Sequence, residues 1–353
     1  MKILTILGAR PQFIKAGSVS REIEKHSEIN EVIVHTGQHY DTNMSDIFFD
    51  EMKIPKPHYN LGIGGKSHGA MTGQMIEKIE EVAIKESPDW IMVYGDTNST
   101  LAGGIVASKL HIKLAHIEAG LRSFNMKMPE EVNRILTDRV SNILFCPTQT
   151  AIDNLMNEGY ANLDIQIENS GDVMQDGAVF YTDHSEKPDT DLPSEYILAT
   201  VHRAENTDDE SKLKEIVEAL NEINKSTSVV LPIHPRTRNL IKTYGLNVEF
   251  KMIDPVGYLN MVWLISHSKM ILTDSGGLQK EAFFFGKPCI TMREETEWVE
   301  LVENNYNILV GSDKFKILEA YNSHQFETDF SKNLYGGGSA SNNIITSLLK
   351  YSK

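Results

Sequence analysis

The stretch Met270–Lys287, M-I-L-T-D-S-G-G-L-Q-K-E-A-F-F-F-G-K, constrains the fold more than any other part of the chain. Its apolar run Met270–Leu272 reads as a short buried strand, Thr273, Asp274 and Ser275 are candidate helix caps, and Gly276-Gly277 leaves bare amides at a helix entrance. Free N–H groups and the dipole at such an entrance attract an anion, so Ser275, Gly276 and Gly277 are expected to seat a phosphate. Glu281, one turn further on, is placed to accept hydrogen bonds from a sugar diol beside that phosphate. Gly286 and Lys287-Pro288 end the helix. A tight strand-to-helix turn with no ligand would show the same residues; the stretch is neither a P-loop nor a nucleophile elbow.

The same strand, loop and helix order opens the chain. Ile3–Leu7 reads as a buried strand running into G-A-R-P-Q-F-I-K, where Pro11 suits a first helical turn and Arg10 and Lys15 point toward the carboxyl edge of a sheet. No G-x-G-x-x-G is present, so a dinucleotide site is not expected. Val32–Thr36 is a second strand; His35 and His39 have i,i+4 spacing but sit in a strand pattern without H-E-x-x-H, which argues against a metal pair. Residues 57–68 read as a mobile loop, followed by a helix over 69–85 and a strand over 90–94. Asp96 lies just past that strand, either as a helix cap or as a functional acid. The strand Leu114–Ile117 ends in Glu118, and a carboxylate closing a buried strand is costly unless paired or used. M-P-E-E-V-N-R then opens a helix with Glu130, Glu131 and Arg134. Acids in a first turn ordinarily offset the dipole. Asp96, Glu118 and Glu130 all fall at strand ends or helix starts of one half, however, and such edges converge on one crevice.

At 353 residues the chain is long for one core. A Pro- and Asp-rich stretch from about Lys187 to Glu195, with no apolar period, places a boundary between 168 and 195, giving expected domains 1–168 and 169–339, with Gly336–Gly338 as a hinge and a last helix, Ala340–Tyr351, packing back on the first domain. The second half repeats the alternation: Tyr196–Val201 ends in H-R-A-E-N, with His202 and Arg203 at its edge, and Val229–Ile233 ends in H-P-R-T with His234. The expected fold is α/β, two Rossmann-like domains with parallel sheets, and ligands of such pairs bind between the domains.

The net charge of −15, from 34 basic and 49 acidic side chains, repels nucleic acid and anionic lipid. An anionic ligand would need the basic groups gathered locally, and Arg10, Lys15, His202, Arg203, His234 and Arg236 are the candidates. No apolar run reaches the ~18 residues of a membrane span, and the block at Met1–Gly8 is too short for a signal peptide. Cys146 and Cys289 sit beside apolar runs as small core residues, so a reduced, cytoplasmic protein is expected. No metal or cofactor is required, because helix amides and cations can neutralise a diphosphate.

G-A-R-P-Q-F-I-K, G-D-T-N-S-T, H-I-E-A-G-L-R, P-E-E-V-N-R, H-R-A-E-N, H-P-R-T and T-D-S-G-G-L-Q-K-E-A, in this order over nearly the whole chain, resemble the non-hydrolysing UDP-N-acetylglucosamine 2-epimerases. The resemblance implies a GT-B fold with its active site in the interdomain cleft, a homodimer, and a UDP-HexNAc-type nucleotide sugar as substrate. It implies loss of the C2 proton, expulsion of UDP from C1 to give a 2-acetamidoglucal, and re-addition of UDP with reprotonation on the opposite face. Carried over by motif, Asp96, Glu118, Glu130 and His202 match catalytic positions, and Arg10, Lys15, Arg134, His234, Ser275, Gly276, Gly277 and Glu281 match substrate contacts, with Arg203 beside them. Two stretches, G-D-V-M-Q-D-G and E-T-E-W-V-E-L-V-E, depart from the commonest members and look like the subgroup acting on UDP-2,3-diacetamido-2,3-dideoxyglucuronic acid. The family's activator site for a second UDP-GlcNAc has no clear match near residues 60–70. A UDP-sugar glycosyltransferase of the same architecture is the alternative from another reaction class; it would not need the acids of the first half. A non-catalytic nucleotide-sugar sensor is the third reading.

Overall fold

The computed structural model describes residues 1–37, 49, 52–323 and 325–352. His39 lies outside the described residues. The chain divides into two compact units, Met1–Gly177 with Asn333–Lys353, and Ala178–Lys332.

The first unit is built on a seven-stranded sheet. Its strands are β1 (Lys2–Leu7), β2 (Asn30–His35), β3 (Tyr59–Asn60), β4 (Trp90–Tyr94), β5 (Lys113–Ile117), β6 (Ile143–Cys146) and β7 (Gln166–Asn169). They are parallel and run in the order β3-β2-β1-β4-β5-β6-β7. Parallel strands buried on both faces need unbroken apolar runs, which W-I-M-V-Y in β4 supplies. Leu4, Ile6, Ile91 and Val93 pack against Ala102 and Val106 of the helix Asn98–Leu110 and Met75 and Ile79 of the helix His68–Glu86. The order reverses between β1 and β4, and Ile6 stands level with both Val34 and Val93, so the loops after β1 and β4 leave the sheet side by side. That is where doubly wound sheets bind ligands.

The second unit has a six-stranded sheet of β8 (Ile197–Thr200), β9 (Val229–Pro232), β10 (Lys251–Ile253), β11 (Ile271–Thr273), β12 (Cys289–Thr291) and β13 (Asn307–Leu309). These too are parallel, in the order β10-β9-β8-β11-β12-β13. Its switch lies between β8 and β11, the strands that carry H-R-A-E-N and T-D-S-G-G at their ends.

Several expectations are corrected. Residues 57–68 contain β3, in which Tyr59 and Asn60 pair with Val34 and His35; two residues are too short for any apolar period to reveal. Segments 169–177 and 333–339 belong to the first unit, because the chain end is tied there by backbone and side-chain hydrogen bonds. Asp172 N donates to Tyr335 O at 2.8 Å, Gly337 N donates to Gln175 Oε1 at 2.8 Å, and Asp176 accepts from Ala340 N and Ser341 N at 3.0 and 2.7 Å. Asp176 thus serves the entrance of the helix Ala340–Tyr351, which packs on the helix Arg10–Ile23 of the same unit. Gly336–Gly338, expected as a hinge, is held in this network. Both cysteines are free and buried. Among the described residues, no helix is long and apolar enough to cross a membrane.

Candidate active site

In the first unit, the side chains singled out by sequence gather at the ends of β1, β4 and β5. The loop after β1 is closed by Gln12, whose Oε1 accepts from Gly8 N and Ala9 N at 2.8 and 3.1 Å and whose Nε2 donates to Tyr94 O at 2.7 Å. One buried amide therefore locks the β1 and β4 loops together. From the helix that follows, Lys15 reaches Glu118 and forms an ion pair with its carboxylate, both side chains largely buried. Glu118 has φ +67°, a left-handed conformation that costs about 1–3 kcal/mol outside glycine. Gly95 matches it: a Cβ there would stand 3.2 Å from Glu118 Oε2, and its own φ is +61°.

Asp96 does not cap the next helix. Thr97 does, accepting from Thr100 N, which leaves Asp96 free for an ion pair with Arg134. Removal from water pushes the Asp96 carboxyl above its ordinary range; Arg134 pulls it down and the nearby Glu118 pushes it up again. Arg134 also pairs with Glu131, which is buried and accepts from Ser123 N and Phe124 N, the latter at 2.9 Å. The two adjacent glutamates therefore differ in kind. Glu131 pins the loop and the arginine, while Glu130 is exposed in the first turn of the helix Pro129–Val140. Arg10 begins its helix and is exposed.

In the second unit the organiser is Asp274, fully buried at the end of β11. It accepts from His202 N at 3.0 Å, Arg203 N at 3.0 Å and Asn206 Nδ2 at 3.4 Å, and His202 Nδ1 lies 3.1 Å from its other oxygen. Burial opposes its ionisation, yet the His202 ring and these amides hold the carboxyl below its ordinary range. Ser275, not Asp274, is the helix cap, its Oγ accepting from Leu278 N. A Cβ on Gly276 would stand 2.5 Å from Glu297 Oε1, which Arg293 holds at 3.0 Å through the other oxygen, whereas the space above Gly277 is open. Trp298 of the E-T-E-W stretch donates Nε1–H to Gly276 O at 3.0 Å and carries the Lys280 ammonium 4.0 Å from its ring centroid, so it fixes the turn from beneath. Glu281 is buried, accepts from Tyr258 OH at 3.1 Å and has its carboxyl pushed up to about 7 by burial. His234 caps the helix Pro235–Thr243 and is exposed.

The structure thus joins Lys15 to Glu118, Asp96 to Arg134, and His202 and Arg203 to Asp274, the residue before the Ser275–Gly277 turn. His35 is buried edge-on to Phe13, with ring centroids 4.9 Å apart. Among the described residues, no group of three or more His, Cys, Asp or Glu side chains could hold a metal ion.

The model of the UDP-N-acetylglucosamine 2-epimerase family matches residues 21–349. The chain belongs to that family. It is 59% identical to a UDP-2,3-diacetamido-2,3-dideoxy-D-glucuronate 2-epimerase of Pseudomonas aeruginosa, over 99% of this chain and 100% of the relative. The crystal structure of the Methanocaldococcus jannaschii UDP-GlcNAc 2-epimerase with UDP-GlcNAc and UDP superposes with a TM-score of 0.86 at 43% identity, covering 99% of this chain and 100% of that one. The Neisseria meningitidis enzyme bound to UDP-GlcNAc gives 0.87 at 33% identity, with coverages of 99% and 100%. The chain is therefore an isomerase of the epimerase type, on a GT-B-like pair of α/β units. Sequence reasoning about this epimerase missed Asp274 as an orienting carboxylate, Gln12 as a loop clamp and Tyr258 as the partner of Glu281. Their partners lie 72, 82 and 23 residues away, beyond any local pattern.

Proposed function

We propose that this epimerase inverts C2 of a UDP-2-acetamido sugar without net hydrolysis, and that its natural substrate is UDP-2,3-diacetamido-2,3-dideoxy-D-glucuronate. The 59% identity over essentially the full length of a relative bearing that name carries the choice of sugar, supported by the G-D-V-M-Q-D-G and E-T-E-W-V-E-L-V-E stretches. UDP-GlcNAc is the second reading, favoured by the relatives at 43% and 33% identity.

The site residues divide the work as follows. Ser275, Gly276 and Gly277 hold the diphosphate through helix amides, Glu281 accepts from the ribose diol, and His234, Arg203, Arg10 and Lys15 supply positive or donor groups. A carboxylate of the group Asp96, Glu118 and Glu130 takes the C2 proton. The C2–H electron pair becomes the C1=C2 bond as the C1–O bond to UDP breaks, leaving a 2-acetamidoglucal. UDP then adds back to C1, and a carboxylic acid on the other face returns a proton to C2. Asp96, raised above its ordinary range, suits a group that must carry the proton in one direction and lack it in the other. His202, with Nδ1 turned to Asp274, directs Nε2 outward to donate to the departing diphosphate. The protein works as a homodimer in this reading.

Incubation in D₂O without an acceptor is expected to place deuterium at C2 of the diacetamido uronate, detected by proton NMR, with UDP-GlcNAc and a 6-deoxy analogue exchanging more slowly. Equal or faster exchange on UDP-GlcNAc would transfer the assignment to that sugar, and no exchange on any of them would end the reading.

The environment of Glu281 adds a pH dependence. The two hydroxyls of a diol donate most strongly to the ionised carboxylate, so nucleotide binding favours loss of a proton held up to pH about 7. UDP affinity by calorimetry is expected to be roughly tenfold weaker at pH 6 than at pH 8, and Glu281→Gln to remove most of that slope. Parallel slopes in the two proteins would take Glu281 out of the ribose site, since protonation of UDP itself is common to both.

A further inference from the structure

Behind the acids lies a charge cluster that the chemistry above does not use. His116, in β5, has no exposed surface, and each of its ring nitrogens meets an acceptor: Nδ1 lies 2.7 Å from Asp138 Oδ1 and Nε2 lies 2.7 Å from the carbonyl oxygen of Gly95. The second Asp138 oxygen accepts from Arg122 Nη1 at 2.7 Å and Gly120 N at 3.3 Å. Arg122 in turn donates Nε and Nη2 to the two oxygens of Glu158, at 2.7 and 2.8 Å, and Nη1 to Leu121 O at 2.7 Å.

We infer that His116 is a buried imidazolium acting as a positioning residue, holding the Asp96 and Glu118 loops in one geometry for the C2 proton transfers. A backbone carbonyl can only accept, so Nε2 must carry a proton, and a carboxylate with its other oxygen bonded to Arg122 and Gly120 draws the second proton onto Nδ1. A neutral ring would set a lone pair against one of these oxygens at 2.7 Å. The charges balance, with His116 and Arg122 positive, Asp138 negative beside them in the interior and Glu158 negative at the surface end of Arg122, which is what allows the group. Asp138 is held below its ordinary carboxyl range; burial opposes this, and His116 and then Arg122 outweigh it. Among the described residues, Cys146 and Tyr160 also face the cluster, and burial suppresses the ionisation of both, Tyr160 being pushed up to about 12.

The placement gives the cluster its purpose. Gly95 O belongs to the peptide that leads into Asp96, and Glu118 follows His116 by two residues at a strained φ of +67°. One ring therefore ties the β4 loop to the β5 end, while Asp138 ties both to the helix that presents Glu130 and Arg134. Small errors in such geometry cost far more in rate than in binding; a displacement of about 1 Å can cost ~10²-fold.

The activity part of this inference rests on the epimerase reading, so the test has two independent arms. In wild-type protein with ¹⁵N-labelled histidine, the His116 resonances, assigned by their loss in His116→Gln or their shift in Asp138→Asn, are expected to show protons on both ring nitrogens; a single-proton tautomer would overturn the imidazolium. In C2 exchange assays, His116→Gln is expected to lower kcat roughly 10–100-fold per folded molecule. KM and UDP affinity should stay within about threefold, because the Ser275–Gly277 turn and Glu281 lie in the second unit. Asp138→Asn, which keeps the Gly95 contact and gives up the charge, should lose the second ring proton and fall between wild type and His116→Gln. Lowered thermal stability with unchanged kcat in both variants would reduce the cluster to packing. If wild type exchanges no sugar, the epimerase reading fails while the NMR arm still decides the state of His116; if His116→Gln does not fold, Asp138→Asn and wild-type spectra carry the test.

Discussion

Replacing Glu118 by Gln is expected to slow deuterium exchange at C2 by roughly 10²–10⁴-fold, the range lost with a positioned acid or base. The substitution is nearly isosteric and keeps the strained backbone at φ +67° occupied by a side chain of the same length, so a folding defect should not intervene. It removes the carboxylate paired with Lys15 and with it the group that can take or return a proton at the end of β5. UDP affinity should change by no more than about threefold, since the Ser275–Gly277 turn and Glu281 lie in the second unit. Single-turnover exchange by NMR and calorimetry with UDP separate the two effects. Exchange at the wild-type rate would falsify the role given to Glu118; a loss of UDP binding as large as the loss in rate would make it a binding residue instead.

The pairing of Glu118 with Lys15 shows how far the sequence could be read. Both residues were visible as chemistry-bearing groups at the carboxyl edge of a parallel sheet, because strand ends in α/β units are marked by apolar runs that stop at polar residues. The strand Trp90–Tyr94 and the helix Ala340–Tyr351 were legible to the residue for the same reason: their apolar period is long or unbroken. What the pattern does not hold is who meets whom. Glu130 and Glu131 are indistinguishable in sequence, yet one is exposed and the other is buried under Arg134, Ser123 and Phe124. His116 reads as one more residue in an apolar strand until Asp138, 22 residues on, is seen to face it. The boundary was displaced because the segment before the last helix carries glycines and polar residues, a linker composition, while its hydrogen bonds go to Asp172, Gln175 and Asp176. Local composition reports chain entropy; a domain edge is set by these long-range bonds.

Asp274→Ala is expected to destabilise the second unit by about 2–4 kcal/mol and to lower kcat by at least roughly tenfold. The amides of His202 and Arg203 both end on this carboxylate, and a buried donor left without its acceptor costs ~1–3 kcal/mol. The same loss frees the His202 ring, whose Nδ1 would no longer be fixed at 3.1 Å from a carboxylate oxygen, so Nε2 would lose the orientation that lets it donate to a diphosphate. Trp263 and Trp298 lie in the second unit and Trp90 in the first, so in a Trp90→Phe background fluorescence in urea reads the second unit's unfolding. The pH dependence gives the test its sign. Asp274 has a folded value below the ordinary 3.8, so its contribution is complete above that pH and is lost as pH falls through the lower folded value. The stability gap between wild type and Asp274→Ala should therefore narrow as pH falls below about 4. A gap that instead widens as pH falls below about 4 would mean that the carboxyl is not held below its ordinary range by His202 and the two amides, and would remove the orienting role from the mechanism.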